Sequence, residues 1–349
     1  MNKTFGFRCS HSCSDNLKSK IQNRKWGWSI AIGFTFAICG VVAQAQQPAK
    51  IPRIGFLVVP TRSFFSARME TFRQGLRELG YVEGKNVVIE YRYAEGKLDL
   101  LPALASELVQ LKVDVIVTSS LPGVLAAKNA TGTIPIVFGA VGDAVGSGLV
   151  ASLARPGGNV TGLSIFAPEL SGKRFELLKE AFPKVTRVVV LWNPTDSGNA
   201  LSFKETQAVA KALGVQLQSM EVRGASDFES GFQRAKKARV QALIAVPSPV
   251  INANQKQVLE FAEKNRLPAM YAGPEFVDAG GLMSYAPNYT DHYRRAAVFV
   301  DKILKGTKPA DLPVEQPMKF EFVINLQAAK QIGVTIPPNV LVRADRVIR

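Results

Sequence analysis

Arg53-Ile-Gly-Phe-Leu-Val-Val59 is an apolar, β-branched run of strand length, and six residues further on the period of the sequence changes. Phe65, Met69, Phe72, Leu76 and Leu79 recur on one helical face, and Gly80 marks the end of that helix. Downstream the same two patterns repeat: strand-like runs at Asn86 to Tyr93, Val113 to Thr118 and Ile134 to Phe138, with a second helical pattern from Leu98 to Leu111. Strand and helix alternating in this way predict a parallel sheet covered on both faces by right-handed crossovers.

The rhythm then restarts. Strands at Thr186 to Trp192, Val215 to Val222, Val240 to Val246 and Leu267 to Tyr271 alternate with helices near Ser197 to Leu213, Ser226 to Ala238 and Ile251 to Asn265. A single open sheet of ten or more strands would curl or split, so the fold class expected is α/β, two doubly wound parallel-sheet lobes in tandem joined by a multi-strand hinge. The first lobe is expected to hold residues 51–163 plus about 282–312, the second residues 164–281 plus about 313–349. The chain would cross near Asn159 to Phe166 and return near Gly281 to Pro287. From Asp311 on, a strand at Lys319 to Asn325 and a helix at Leu326 to Gly333 would finish both lobes and add a third crossing.

Upstream of Arg53 the chain reads as an export leader. Lys18, Lys20, Arg24 and Lys25 precede the uncharged apolar stretch from Trp26 to Val42, and Ala43-Gln44-Ala45 is the small-x-small pattern of a cleavage site. Residues 1–45 are therefore expected to be a cleavable signal peptide, with the mature chain in the periplasm from Gln46. The alternative, a retained anchor, has 17 residues to span roughly 30 Å of hydrocarbon.

Removal of the leader narrows the chemistry. Cys9, Cys13, Cys39 and His11 all precede the cleavage point, leaving a mature chain with no cysteine and His292 alone. Disulfide scaffolds, thiol nucleophiles and Cys/His zinc sites are excluded for that chain, and no G-x-S-x-G elbow presents a serine to His292. No cofactor is expected: Gly146-Ser-Gly148-Leu-Val-Ala151 fits a dinucleotide fingerprint but lacks the direct strand-to-helix turn, and no Walker A sequence is present. The formal charge of +15 includes six Lys/Arg and one Asp of the leader, so the mature chain carries 37 basic and 27 acidic side chains, net +10. Those cations are interleaved with acids, which argues against nucleic acid as a partner.

Open parallel sheets bind ligands beyond the carboxyl ends of their strands. Here the loops at Pro60 to Phe65, Thr118 to Gly123, Gly139 to Gly146, Asn193 to Gly198, Pro247 to Ile251 and Ala272 to Glu275 would line one cleft between the lobes. They are rich in Ser, Thr, Gly and Pro and nearly free of His and carboxylates. Such a lining holds a polar small molecule and offers little acid-base machinery, so no enzyme is expected.

The stretch from Phe138 through Gly-Ala-Val-Gly-Asp143 and Gly148 to Pro156-Gly-Gly-Asn159-Val-Thr-Gly162 resembles a signature of ABC-transporter substrate-binding proteins related to bacterial tryptophan and tyrosine binders. Phe72 to Asn86, Leu170-Ser-Gly-Lys-Arg174, Leu191-Trp-Asn-Pro194 and Ala310 to Pro317 match it too, so the resemblance runs from about Arg53 to Ile348. It implies a periplasmic binding protein of the type I fold, two lobes on a three-strand hinge, closing on a ligand and presenting it to an ABC permease and its ATPase subunit. A monomer that meets the membrane only through the permease would follow. One departure is Asp143-Ala144, where family members commonly carry Asp-Pro.

The candidate ligand-binding residues are Ser63, Phe64, Ser119, Ser120, Gly139, Ala140, Asp143, Asn193, Pro247, Glu275 and Tyr285. The hydroxyls of Ser119 and Ser120 either grip a carboxylate or cap the helix beginning near Pro122. Asp143 pairs with a ligand ammonium or braces its own loop; Asn193 reaches the ligand or initiates an Asn-Pro turn. Phe64, Phe65, Tyr285 and Tyr289 are placed to stack on a planar ligand or to fill the core. Glu275 offers a second carboxylate, and Trp192 reads as packing. The ligand expected is a small polar molecule, with amino acids, aromatic ones included, as the first candidates. A ligand-sensing receptor subunit and an exported enzyme on the same scaffold are the alternatives.

Overall fold

The computed structural model describes residues 50–165 and 167–349; the expected signal peptide, with its cysteines and His11, lies outside the described residues. Arg53–Val58 forms β1, and α1 follows over Arg62–Glu78, its first turn capped by Thr61, whose hydroxyl accepts from the Phe64 N–H at 3.3 Å. Next come β2 (Val88–Tyr93), α2 (Leu101–Gln110), β3 (Val115–Thr118), α3 (Leu121–Ala130), β4 (Ile136–Val141) and β5 (Val160–Ser164). These five strands make one parallel sheet in the order β2-β1-β3-β4-β5.

The pleat of β1 sorts its side chains between two cores. Ile54, Phe56 and Val58 pack with Phe65, Met69, Phe72 and Leu76 of α1 on one face, while Leu57 and Val59 meet Leu101, Ala105 and Leu108 of α2 on the other. Each fully buried Phe or Leu contributes about 1.5–3 kcal/mol. Strand β5 corrects the expectation that 159–166 is only a connection. Its pairing to β4 needs Gly162, at φ +149, because a Cβ there would lie 2.1 Å from the Phe138 carbonyl oxygen.

The chain then builds the second sheet: α4 (Ala167–Ala181), β6 (Arg187–Trp192), α5 (Ser197–Ala212), β7 (Gln216–Glu221), α6 (Asp227–Lys237), β8 (Ala242–Ala245), α7 (Pro249–Ala253), α8 (Gln255–Lys264), β9 (Ala269–Tyr271), α9 (Pro274–Asp278) and β10 (Met283–Pro287). Where one helix from Ile251 to Asn265 is expected, Asn254 separates α7 from α8. It leaves helical geometry at φ −107°, ψ 26°, and its side-chain amide donates to the Val250 carbonyl at 2.8 Å.

The return crossing falls later than residue 282. Met283–Pro287 pairs with β9 and places Met283 in the core of the second sheet. Asn288 then caps α10 (Tyr289–Leu304), accepting from the Asp291 N–H at 3.0 Å, and α10 packs against α1 on the first sheet. The two helices approach closely at Gly75, where a Cβ would sit 2.9 Å from that of Ala297. The last elements, β11 (Phe320–Asn325), α11 (Leu326–Ile332), α12 (Pro338–Leu341) and β12 (Arg346–Ile348), complete the second sheet rather than both lobes. Its order is β12-β11-β10-β9-β8-β6-β7, with β11 antiparallel to β10 and the other pairs parallel.

A third strand of chain runs between the sheets at 312–316. Ser164 N–H donates to the Glu315 carbonyl at 2.8 Å, Glu315 N–H donates to Gly162 at 3.0 Å, and Thr161 Oγ1 donates to Leu312 at 2.7 Å. Three segments thus connect the lobes, after β5, after β10 and before β11. Among the described residues no helix is long and apolar enough to cross a membrane.

Candidate ligand-binding site

The carboxyl ends of the strands of both sheets open onto one cavity of about 650 Å³, its mouth included. From the first lobe come Pro60 after β1, Arg68 of α1, Ser119, Ser120 and Leu121 after β3, Ala140 to Asp143 at the end of β4, and Ile165 after β5. Asp196, Gly198 and Asn199 after β6 and Pro247, Ser248, Pro249 and Asn252 after β8 face them from the second lobe, and Tyr289 closes the cavity where the chain crosses.

Each lobe presents a serine in the same local setting. Ser120 and Ser248 occupy the cap positions of α3 and α7 in extended conformation, each helix has Pro in its first turn, and neither hydroxyl makes a capping bond. The hydroxyls of Ser119, Ser120 and Ser248 are buried without a hydrogen-bond partner. Of the two roles open to Ser120, helix capping is absent. A buried hydroxyl with no partner costs free energy that a ligand atom could recover.

The charged groups are unevenly spread. Asp143 accepts from the Gly146 N–H at 2.7 Å, so it braces its loop while lining the cavity. Asp196 caps α5 by accepting from the Asn199 N–H at 3.0 Å, and burial raises its carboxyl above the usual range in spite of that bond. Asn199 ties the two second-lobe loops together: its Oδ1 accepts from the Asn193 N–H at 3.1 Å and its Nδ2 donates to the Pro247 carbonyl at 2.9 Å.

Two arginines lie near Tyr289. The guanidinium of Arg68 sits 3.7 Å from the Tyr289 ring centre, and its Nε donates to Glu275 Oε1 of α9, an ion pair that reaches from one lobe to the other. Burial opposes the charge on Arg68, but Glu275 and the oxygens of Tyr289 and Tyr293 outweigh it, and the group is held above its ordinary range. Arg174, on α4, is 1 % exposed. Its Nε donates to the Tyr285 carbonyl at 2.7 Å, Nη1 and Nη2 have no partner, and burial pushes its pKa down to about 10.

A sequence model of the ABC transporter substrate binding proteins matches residues 59–348. The chain belongs to this family. A tyrosine-binding protein of Clostridioides difficile is 27% identical over 261 residues, 75% of either chain. Among solved structures, a conserved domain protein from Vibrio cholerae is 31% identical with a TM-score of 0.79, covering 85% of this chain and 100% of its own. The ABC domain in complex with L-Trp from Streptococcus pneumoniae is 27% identical with the same TM-score, 85% and 99% being covered. This substrate-binding protein shares its two-lobed α/β architecture with solute-binding proteins of ABC transporters.

Of the residues expected from sequence, Ser119, Ser120, Ala140, Asp143 and Pro247 come together on the cavity wall. The others stand elsewhere. Ser63 is exposed in the first turn of α1, 3.3 Å from the Thr61 hydroxyl. Phe64 points across the cleft rim into the second lobe, edge-on to Phe276 with ring centres 5.9 Å apart. The Gly139 carbonyl faces His292 Nδ1 at 3.3 Å, and a side chain there would strike the Tyr293 ring. Asn193 spends its Oδ1 on the Thr195 N–H and hydroxyl, at 3.0 and 2.8 Å, which is the turn alternative. Tyr285, half-buried, stacks on Phe320 at 6.0 Å against the second core, and Glu275 is engaged with Arg68. Phe65 packs edge-on against Phe56 and Tyr293 in the first core. Trp192 stacks on Phe203 at 4.4 Å.

Sequence reading passed over Arg68, Arg174, Asp196, Asn199, Ser248 and Asn252. Two of them carried a signal. Arg68 interrupts the apolar stripe Phe64, Phe65, Met69, Phe72, and Arg174 lies four residues from both Leu170 and Leu178, which are buried. A guanidinium on the buried face of a helix requires a partner or a task.

Proposed function

We propose that this protein is the extracytoplasmic receptor of an ABC importer, exported by its leader to the periplasm, where its lobes close on an amino acid and present it to the permease and ATPase subunits. The observation that carries the ligand class is the charge layout of the cavity. Asp143 and Asp196 supply carboxylates from opposite lobes, Arg68 supplies a guanidinium near the crossing, and partnerless serine hydroxyls stand in both lobes. Carboxylates at one part of the wall and a cation at another suit a zwitterion, with hydroxyls to fix its orientation.

Leu121, Ile165 and the Tyr289 ring offer apolar surface for a side chain of moderate size, and the relatives named for tyrosine and L-Trp favour an aromatic one. The walls hold the ligand without reacting. His292, the base an acyl-transfer enzyme would require, lies outside the cavity with its Nδ1 on Gly139 and its ring against Tyr289. Burial lowers its pKa, in spite of the Gly139 carbonyl.

Closure follows from the wall being shared. A ligand that touches both lobes has differential affinity for the closed form, which is the requirement for shifting the equilibrium. Calorimetric titration with the twenty amino acids, with scattering before and after saturation, tests the proposal. The expected result is a small group of ligands, tryptophan and tyrosine among them, that bind unaltered and shrink the radius of gyration. Chemical conversion of the ligand, or absence of binding by every amino acid, would refute it.

A further inference from the structure

The charge balance around Tyr289 is incomplete. Three charged groups act on its ring: Arg68, Arg174 and Glu275. Glu275 is committed to Arg68, with which it forms the inter-lobe pair. Among the described residues no carboxylate acts on Arg174, whose electrostatic neighbours are the phenols of Tyr289 and Tyr285. A net positive charge therefore stays buried beside a cavity that both Arg68 and Tyr289 line.

The way Arg174 is held shows which edge is free. Its Nε is fixed on the Tyr285 carbonyl, at the strand that leads into the crossing, and the two terminal nitrogens are the ones left without partners. Those nitrogens form the end of the guanidinium fork that receives both oxygens of a carboxylate. A side chain needed only to hold α4 against β10 through that carbonyl would not require a second and third donor, and a glutamine would make that bond with no charge buried. Ser284, next to Tyr285, has its hydroxyl buried without a partner as well.

We propose that Arg68 and Arg174 together form an anion site next to Tyr289 that takes the carboxylate of the bound solute. Arg68 belongs to the first lobe and Arg174 to the second, so the same carboxylate favours closure from both sides. Glu275 is a positioning residue for Arg68: it fixes Nε and leaves the charge of Arg174 for the ligand. This rests on the amino-acid reading above for the identity of the carboxylate, though not for its presence.

The test compares acids with their amides. Wild-type protein, Arg174→Lys and Arg174→Met are titrated with L-tryptophan, L-tryptophanamide, tryptamine and indole-3-propionate, and each variant is first checked for its Tm and circular dichroism. The wild type is expected to prefer tryptophan to its amide by 100-fold or more, Arg174→Met to reduce that preference below about 5-fold, and Arg174→Lys to fall between. A purely structural Arg174 would lower Tm and leave the acid-to-amide ratio unchanged, and that outcome overturns the proposal while the amino-acid reading stands. If indole-3-propionate or simple carboxylates bind in an Arg174-dependent way and amino acids do not, the anion site stands and the amino-acid reading falls. If no carboxylate raises the Tm of the wild type, both fall. Should Arg174→Met not fold, Arg174→Lys and the wild-type ratio decide, and a wild-type ratio below about 5 refutes the site.

Discussion

Glu275→Gln removes the negative half of the ion pair that links the lobes while keeping the size and one acceptor oxygen of the side chain. The two partners are 9 % and 14 % exposed, so the pair is largely dry and Arg68 would be left charged beneath Tyr289. Breaking a buried pair from one side costs about 3–5 kcal/mol, and the amide oxygen that can still accept from Arg68 puts this case near 3. That cost falls on the closed form, because Arg68 is carried by α1 and Glu275 by α9, and separating the lobes returns the guanidinium to water. At 1.4 kcal/mol per tenfold, the ratio of closed to open protein drops by roughly 150-fold, and ligand affinity falls by up to that factor because binding must restore closure. Small-angle scattering of the ligand-free variant should show a larger radius of gyration than the wild type, and calorimetry a weaker affinity. Its Tm should fall much less, since the apolar cores of both sheets are unchanged. A variant with wild-type scattering and wild-type affinity would refute the assignment of this pair to closure.

Asp196→Asn should keep or raise thermal stability while weakening ligand binding. Asn caps a helix as well as Asp does, and the half-buried carboxyl it replaces is held above its normal pKa by desolvation, which disfavours its charged form. Because that pKa is raised in the folded state, wild type is relieved as pH falls through it; the variant should lack this gain when urea midpoints are compared between pH 7 and pH 4. His292 works in the opposite sense. Its folded pKa is lowered, chiefly by burial, so the unfolded chain takes up the proton first and stability should decline as pH drops below about 6.5, a slope that His292→Phe should remove in the same titration. Gly75→Ala forces a methyl to 2.9 Å from Ala297 and 3.0 Å from the Arg294 carbonyl oxygen, and should cost about 1–3 kcal/mol, read by calorimetry as a Tm several degrees lower with ligand specificity intact.

Much of the architecture was legible in the chain. Continuous apolar runs such as 53–59 and 186–192, separated by stripes of period 3.6, identified nine strands of the two sheets, because burial on both faces leaves few ways to write such a sequence. The strands missed were those whose pairing depends on distant chain. Val160–Ser164 follows Pro156-Gly-Gly and carries Gly162, so it reads as a linker until Phe138 and Glu315 supply its neighbours, and Met283–Pro287 reads as a crossing until β9 and β11 flank it.

The site was legible to a lesser degree, in the loops rather than in the residues. Small polar residues after β3, β4 and β8 identified the wall where Ser119, Ser120, Asp143 and Pro247 stand, since chain direction alone decides which end of a parallel sheet faces a ligand. Which of the candidate side chains turn toward the cavity was decided by tertiary structure: Asn193 turns back to Thr195, Tyr285 packs against the second core, and Phe64 reaches across to Phe276. The sequence by itself determined two α/β lobes and the strand ends at which they could hold a guest. Only the folded chain brought Arg68, Arg174, Glu275 and Tyr289 together from four separate helices, because the charge balance of a buried group depends on neighbours that sequence spacing does not encode.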